Sequence, residues 1–230
     1  MTRTLTVACA DLEARPLFWT EPGGQRRGFE PDVADIIFAA AGLPFEWVFL
    51  QWSDFLPSVA QGRTDAVLCG QGIIPERLEV VDFTDPYTVF NESVVMRAGQ
   101  SVPSPSDLSG KRVAAIADSA NMRLARTFTG AILVPFDGAS DDVFGDMIGA
   151  LRSGEVDAVV DDDVALIPLA GAPDIDLAFT VPTRNPWGIG VRKANDDLRE
   201  QLNRAIAQVK QDGRLAEVWQ RWVPELEYPF

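Results

Sequence analysis

Histidine is absent from the 230 residues. That removes the side chain most often used as a general base near neutral pH and the commonest nitrogen ligand for metals. Cysteine occurs only at Cys9 and Cys69, too few for a disulfide framework or a zinc site. Both sit at the ends of strand-like segments, which favours buried free thiols and leaves a bridge between them open. Neither a metal nor a cofactor is expected. Lys and Arg number 20 against 34 Asp and Glu, giving a formal charge of −14, which argues against a nucleic-acid partner. The surplus acid serves solubility first and attracts cations second. No apolar run approaches the roughly 20 residues of a membrane-spanning helix. The richest stretch, Val33 to Phe45, is interrupted by Asp35, Gly42 and Pro44 and reads as a core helix. Strand-like sequence begins at Leu5 with no signal peptide before it, which reads as a cytosolic chain or one cut at its mature start.

What is present is an alternation of strand-like and helix-like segments, the pattern of parallel α/β sheets. Strands are predicted at Leu5–Ala10, Phe45–Leu50, Asp65–Cys69, Lys111–Ala117 and Ala131–Phe136. Helices are predicted around Val33, Ile36, Ile37 and Ala40, stopped by Gly42, and over Phe55–Ala60, ended by Gly62. Others follow at Asn121–Phe128 and Asp141–Arg152. A further helix carries Leu198, Leu202, Ile206 and Val209, with Asn195 placed to cap it, and a last one carries Leu215, Val218, Trp219 and Trp222. One phrase occurs twice. Gly62-Arg63-Thr64-Asp65-Ala66-Val67 is echoed by Gly154-Glu155-Val156-Asp157-Ala158-Val159, which points to two similar α/β lobes.

Open α/β sheets bind ligands beyond the C-terminal ends of their strands. Three segments qualify: Asp11, Glu13, Leu17, Phe18 and Trp19; Gly70 to Arg77; and Asp161-Asp162-Asp163. Pro75 and Glu76 suit the first two positions of a helix, which puts Arg77 in its first turn, against the helix dipole. Such an Arg is either part of a carboxylate trap or the partner of Asp82 or Asp85. The three consecutive Asp are either a helix cap with solvated neighbours or a receptor for an ammonium group or a metal ion. Trp52, Phe18 and Trp19 each either stack on a ligand or seal the core.

Several phrases in order resemble the family 3 (amino-acid type) extracellular solute-binding proteins of ABC transporters. They are Gly28-Phe29-Glu30-Pro31-Asp32-Val33-Ala34; Trp52 with Phe55-Leu56-Pro57; Gly62-x-x-Asp65-Ala66; Ile73-Ile74-Pro75-Glu76-Arg77; Val81-Asp82-Phe83-Thr84-Asp85-Pro86-Tyr87; Asp107-Leu108-Ser109-Gly110-Lys111; and Trp187-Gly188-Ile189-Gly190-Val191. The resemblance implies an α/β fold of two Rossmann-like lobes joined by two extended hinge crossovers, the periplasmic binding protein type II arrangement. Lobe 1 would comprise 1–92 with 190–230 and lobe 2 93–189, with crossovers near Asn91–Met96 and Trp187–Arg192. It further implies a non-catalytic protein that closes over an amino acid, a derivative or an amine. A monomer in the periplasm or outside the cell would hand this ligand to the membrane permease of an ABC importer. Arg77 would hold the ligand carboxylate beside Gly70 and Gly72, and the loop at Ser119 would add backbone N–H groups. Asp162 would take the ammonium, Trp52 and Phe18 would supply aromatic surface, and Asp11 would meet a distal cation. The chain departs from the family at Ala14 and Leu17, which replace aromatics. It departs again at Cys69, Gly70, Gly72 and Ile74, which replace hydroxyl residues, and at Asp118, which replaces a glycine. These changes point away from a standard amino acid, and Asp11, Glu13 and the nearby aromatics favour a cationic or amine-bearing ligand. A dehydratase-like enzyme and the sensing domain of a receptor are the alternatives.

Overall fold

The structure, a computed structural model, describes residues 3–230, with the side chain of residue 170 left aside. The chain divides into two compact units, Met1–Val89 with Pro186–Phe230, and Phe90–Asn185.

The first unit begins with β1 (Leu5–Cys9), the short pair β2 (Trp19–Thr20) and β3 (Arg26–Arg27), and α1 (Phe29–Ala41). It continues through β4 (Phe45–Phe49), α2 (Phe55–Ala60), β5 (Ala66–Val67), α3 (Pro75–Leu78) and β6 (Asp82–Phe83). Strand β7 (Thr88–Arg97) then leads into the second unit: β8 (Arg112–Ile116), α4 (Ala120–Ala125), β9 (Ile132–Phe136), α5 (Val143–Ser153), β10 (Ala158–Asp162) and α6 (Asp163–Leu166). Strand β11 (Ile175–Trp187) carries the chain back to β12 (Gly190–Val191), α7 (Asp196–Gln211) and α8 (Arg214–Trp222).

Each unit holds one five-stranded sheet, ordered β4-β1-β5-β12-β6 in the first and β11-β7-β10-β8-β9 in the second. The βαβ runs make parallel trios, β4-β1-β5 and β9-β8-β10. The sheets are mixed, not purely parallel. β12 lies antiparallel between β5 and β6, and β7 antiparallel beside β10. These strands belong to segments next to the crossings between units and enter from the opposite direction.

The echoed phrase occupies the same place in both trios. Gly62 and Gly154 take φ values of 71° and 83° at the helix ends, which glycine tolerates without a Cβ penalty. The Asp that follows ties β5 to β1 in the first unit and β10 to β8 in the second. Asp65 accepts the Thr6 N–H at 2.8 Å, and Asp157 accepts the Arg112 N–H at 2.8 Å. The repetition therefore carries a repeated hydrogen bond.

In the first unit α1 buries Val33, Ala34, Ile37 and Phe38, leaving Ile36 and Ala40 half-covered, so its inward stripe is rotated from the predicted one. Leu198, Leu202, Ile206 and Val209 of α7 and Leu215, Val218 and Trp219 of α8 are buried as their spacing requires. Asp32 of α1 accepts from both Arg221 and Trp222, fastening α8 to α1. The second unit packs Val94, Met96, Leu108, Val113, Met122, Phe128 and Val160 into one core. Each large apolar side chain so buried contributes about 1.5–3 kcal/mol relative to exposure. Two local expectations fail. Asn195 stands at the N-cap of α7 but makes no side-chain cap bond, the first turn being served by Asp196 and Asp197 instead. The helix predicted to Phe128 ends at Ala125.

Candidate functional site

In the first unit Arg77, Trp52 and Gly72 are brought together. Arg77 is 6% exposed, and its Nη1 donates to the Gly72 carbonyl at 3.0 Å. Its guanidinium carbon lies 5.3 Å from the centre of the half-buried Trp52 ring, which also leans on Phe55. α3 is a single turn, so its first and last turns coincide, and the helix-dipole argument made for Arg77 lapses. Asp82, one of the two acids considered as its partner, is engaged by Lys193 at 3.1 Å and by the Ala194 N–H.

Gly70 takes φ 60°, donates its N–H to Glu30 at 2.7 Å, and lies so near Trp187 that an added Cβ would meet that ring at 3.5 Å. Glu30, 1% exposed, also accepts the Tyr87 hydroxyl at 2.6 Å. Burial pushes its carboxyl above the ordinary range, against the pull of these bonds and of the Arg26 charge. Cys9 and Cys69 beside it are free thiols, and burial raises Cys9 to about 12, so neither is a reactive thiolate.

Asp11 and Phe18 form a second group. Asp11 is exposed and accepts the Thr20 hydroxyl at 2.7 Å; Thr20 in turn meets Arg26 at 3.5 Å. The Arg26 guanidinium lies over Phe18, Trp47 and Phe49 at 4.8, 5.5 and 5.2 Å. Phe18 is buried against this cation, and Asp11 has a positive charge near it already. Glu13 is taken by Arg15.

In the second unit Ser119 is the N-cap of α4. Its hydroxyl accepts the Met122 N–H at 3.0 Å and donates to Ile116 O at 2.7 Å, so the side chain is committed to the fold. Asp118 before it holds φ 57°, a left-handed conformation that glycine adopts without strain.

The three Asp are all buried, at 8%, 8% and 4% exposure, which rules out the solvated-charge reading. Asp162 stands at the N-cap of α6 but makes no cap bond, which overturns the capping reading of that residue. Among the described residues its carboxylate receives long contacts, from Asn185 at 3.4 Å and Asn121 at 3.5 Å. Asp161 accepts Asn121 Nδ2 at 2.9 Å and the Asp162 N–H at 2.8 Å. Asp163 accepts from the backbone and side chain of Asn91, and Glu92 is bonded to Thr183. Burial, and for Asp161, Asp162 and Glu92 also the neighbouring negative charges, hold all four carboxyls above the ordinary range. Among the described residues, no three His, Cys, Asp or Glu side chains converge to hold a metal ion. Asn121, Asn185 and Glu92 were not singled out in the sequence. Asn121 read there only as the start of a helix, and nothing local announces that a strand end forty residues later meets it.

The profile of the bacterial extracellular solute-binding proteins, family 3, matches residues 6–225. The chain belongs to this family. It is 27% identical over 210 residues to the ABC transporter glutamine-binding protein of Bacillus subtilis, covering 88% of this chain and 74% of that one. An ancestral arginine-binding protein bound to arginine superposes with a TM-score of 0.85 at 28% identity, covering 96% of this chain and 98% of the other. A periplasmic His/Glu/Gln/Arg/opine family-binding protein from Silicibacter pomeroyi in complex with lysine gives 0.85 at 29%, covering 99% and 100%. The two-lobe α/β fold read from the sequence is thus that of the amino-acid-binding proteins. Among the described residues no helix of this family member is long and apolar enough to cross a membrane.

Proposed function

We propose that this solute-binding protein captures an amino acid or an amine-bearing derivative. Arg77 takes the carboxylate, Trp52 the aliphatic body and Asp162 the ammonium. Gly70 and Gly72 leave room beside Arg77, and the backbone of the Ser119 loop adds donors to the carboxylate. Closure of the units on the ligand delivers it, outside the cytoplasm and as a monomer, to the permease of an ABC importer. The observation that carries this reading is Asp162, a buried carboxylate at a strand end held, among the described residues, by two long amide contacts. An ionised group so placed is costly unless a cation meets it, and a ligand ammonium supplies one. Among ligands of relatives, arginine, lysine and glutamine fit this chemistry, and the surplus of acid favours the first two. Asp11 contributes less to a distal cation than the family pattern implies, because the Thr20 hydroxyl already donates to it, with Arg26 next to Thr20.

A thermal-shift screen of amino acids and amines tests the reading, since ligand at 100 times its Kd adds about 2.7 kcal/mol of stability. Arg77→Ala should remove the response with the fold intact. An unchanged response would reject the site. A second reading rests on the raised carboxyls of Asp161 and Asp162, which are suited to a general acid in a dehydratase-like reaction. Turnover of a hit from the screen distinguishes an enzyme from a binder.

A further inference from the structure

Glu30 lies in the first turn of α1 and is 1% exposed. Both of its hydrogen bonds end on one oxygen: Oε1 accepts the Gly70 N–H at 2.7 Å and the Tyr87 hydroxyl at 2.6 Å. Among the described residues Oε2 is buried with no hydrogen-bond partner. An ionised carboxylate has two equivalent acceptor oxygens, whereas a neutral carboxyl has one carbonyl oxygen that accepts and one hydroxyl that carries the proton. The one-sided pattern is that of the neutral acid. A bare ionised oxygen in the same place would cost more than a bare hydroxyl. Burial acts in the same direction.

Both partners of Oε1 frame the loop that carries Arg77. Gly70 opens this loop, the Gly72 N–H donates to the Gly70 carbonyl at 3.2 Å, and Arg77 donates to the Gly72 carbonyl. The loop is stitched to the end of β11 and to Gly188. Ile73 N–H donates to the Pro186 carbonyl at 2.8 Å, and Gly188 N–H to the Gln71 carbonyl at 3.1 Å. Tyr87 joins the same stretch, its N–H donating to the Trp187 carbonyl at 2.9 Å. An ionised Glu30 would place negative charge one hydrogen bond away from a loop that is to receive an anion, and in a buried place that repulsion is strong.

The charged groups on the packed elements leave this balance in place. Arg26 of β3 pulls on Glu30, but less than burial opposes it, and its guanidinium is spread over Phe18, Trp47 and Phe49. β1 and the loop after β5 bring the thiols Cys9 and Cys69, both kept neutral by burial. Asp11 accepts from Thr20. On α1 itself Asp32 is bonded to Arg221 of α8, and Asp35 is exposed. On α7, Lys210 donates to the Pro86 carbonyl, Arg199 pairs with Asp196 and Arg204 with Glu200. On α8, Arg214 pairs with Asp212, and Glu217 is exposed.

We propose that Glu30 is a positioning residue for the ligand carboxylate: as a neutral acid it holds the Gly70 loop, and through it Arg77, in the arrangement that receives the anion. Its ionisation loosens the loop and opposes the ligand's charge. The inference rests on the amino-acid reading above and adds to it a residue that does not touch the ligand. Binding is therefore linked to pH through Glu30. The bound carboxylate favours the protonated form, so this contribution is full in acid and falls by up to tenfold per unit as pH rises through the Glu30 titration.

The test pairs L-arginine affinities with NMR of glutamate-labelled protein from about pH 5 to pH 9, in wild type, Glu30→Gln and Glu30→Ala. Expected in the empty wild type is one glutamate carboxyl titrating above the ordinary range, absent from both variants. The Gly70 and Gly72 amide signals and the Arg77 Nε signal should follow that titration in wild type and stay still in Glu30→Gln. The ratio of wild-type to Glu30→Gln affinity should be constant in acid and fall above the titration. Taking the ratio cancels the titrations both proteins share, those of Asp161, Asp162 and the ligand. At the acid end Glu30→Ala should bind roughly tenfold more weakly, and Glu30→Gln should recover most of that loss, because its amide oxygen can accept the same two bonds. The proposal is overturned if Glu30 titrates in the ordinary range, or if the affinity ratio stays constant while Glu30 titrates. If none of the three proteins binds L-arginine, the amino-acid reading is what fails. Loop and Arg77 signals that follow Glu30 in the empty protein then still support the positioning role, and signals that ignore it overturn that role.

Discussion

The Tyr87 hydroxyl donates to Glu30 Oε1 at 2.6 Å inside the first unit, while Glu30 Oε2 is buried with no partner. Half of this carboxylate is satisfied and half is not, and burial raises its pKa against the pull of the bonds it accepts. In the unfolded chain Glu30 ionises near pH 4.3. In the native state it keeps its proton to higher pH, so its stabilising contribution is full below the unfolded value and lost as pH rises through the folded one. Glu30→Gln should flatten this alkaline decline, seen as a smaller gap between urea midpoints at about pH 5 and pH 8. Asp161 and Asp162 act with the same sign, so the decline should shrink without vanishing. A gap equal to the wild type's would refute the assignment.

Asp157 behaves in the opposite sense. The Arg112 guanidinium, with hydrogen bonds at 2.8 and 3.0 Å, holds its carboxyl well below the usual range. Its contribution is present above the unfolded value near pH 3.9 and disappears as pH falls through the folded one. Asp157→Asn should destabilise the protein by about 1–2 kcal/mol at neutral pH, a figure kept low because Arg112 is 42% exposed. The difference should fade in acid. Chemical denaturation across pH measures it.

Gly28 has φ 123°, and a Cβ there would lie 2.4 Å from the Leu17 carbonyl oxygen, a backbone atom that cannot step aside. Gly28→Ala should cost more than about 3 kcal/mol through strain and overlap together. A variant melting within a degree or two of wild type would contradict the packing described.

Arg77→Lys separates charge from geometry. An ammonium keeps the positive charge but loses the planar fork that meets both a carboxylate and the Gly72 carbonyl. L-Arginine affinity should drop at least tenfold with little change in melting temperature. Equal affinity would mean that the carboxylate is bound elsewhere.

The echoed Gly-x-x-Asp-Ala-Val was legible because it is local. A glycine that accepts positive φ, an Asp facing a neighbouring strand and an apolar run are properties of six consecutive residues, and the two copies mark the two units. Helix α7 was legible for the same reason, since its apolar stripe repeats at helical spacing. The antiparallel β7 and β12 were not, because strand direction in a sheet depends on how a distant segment returns.

The candidate site divides in the same way. The sequence alone pointed to the two α/β units, the absence of imidazole chemistry, and Arg77 and Asp162 as candidate opposite charges. Only tertiary structure decided what surrounds each charge. It buried three consecutive Asp where capping and solvent exposure were open readings, and committed the Ser119 hydroxyl to a helix cap. It also engaged Asp11 with Thr20 and laid Asn121 across Asp161 and Asp162, forty residues away. Burial and long-range hydrogen bonding set the ionisation of these groups, and neither is a function of nearest neighbours in the chain.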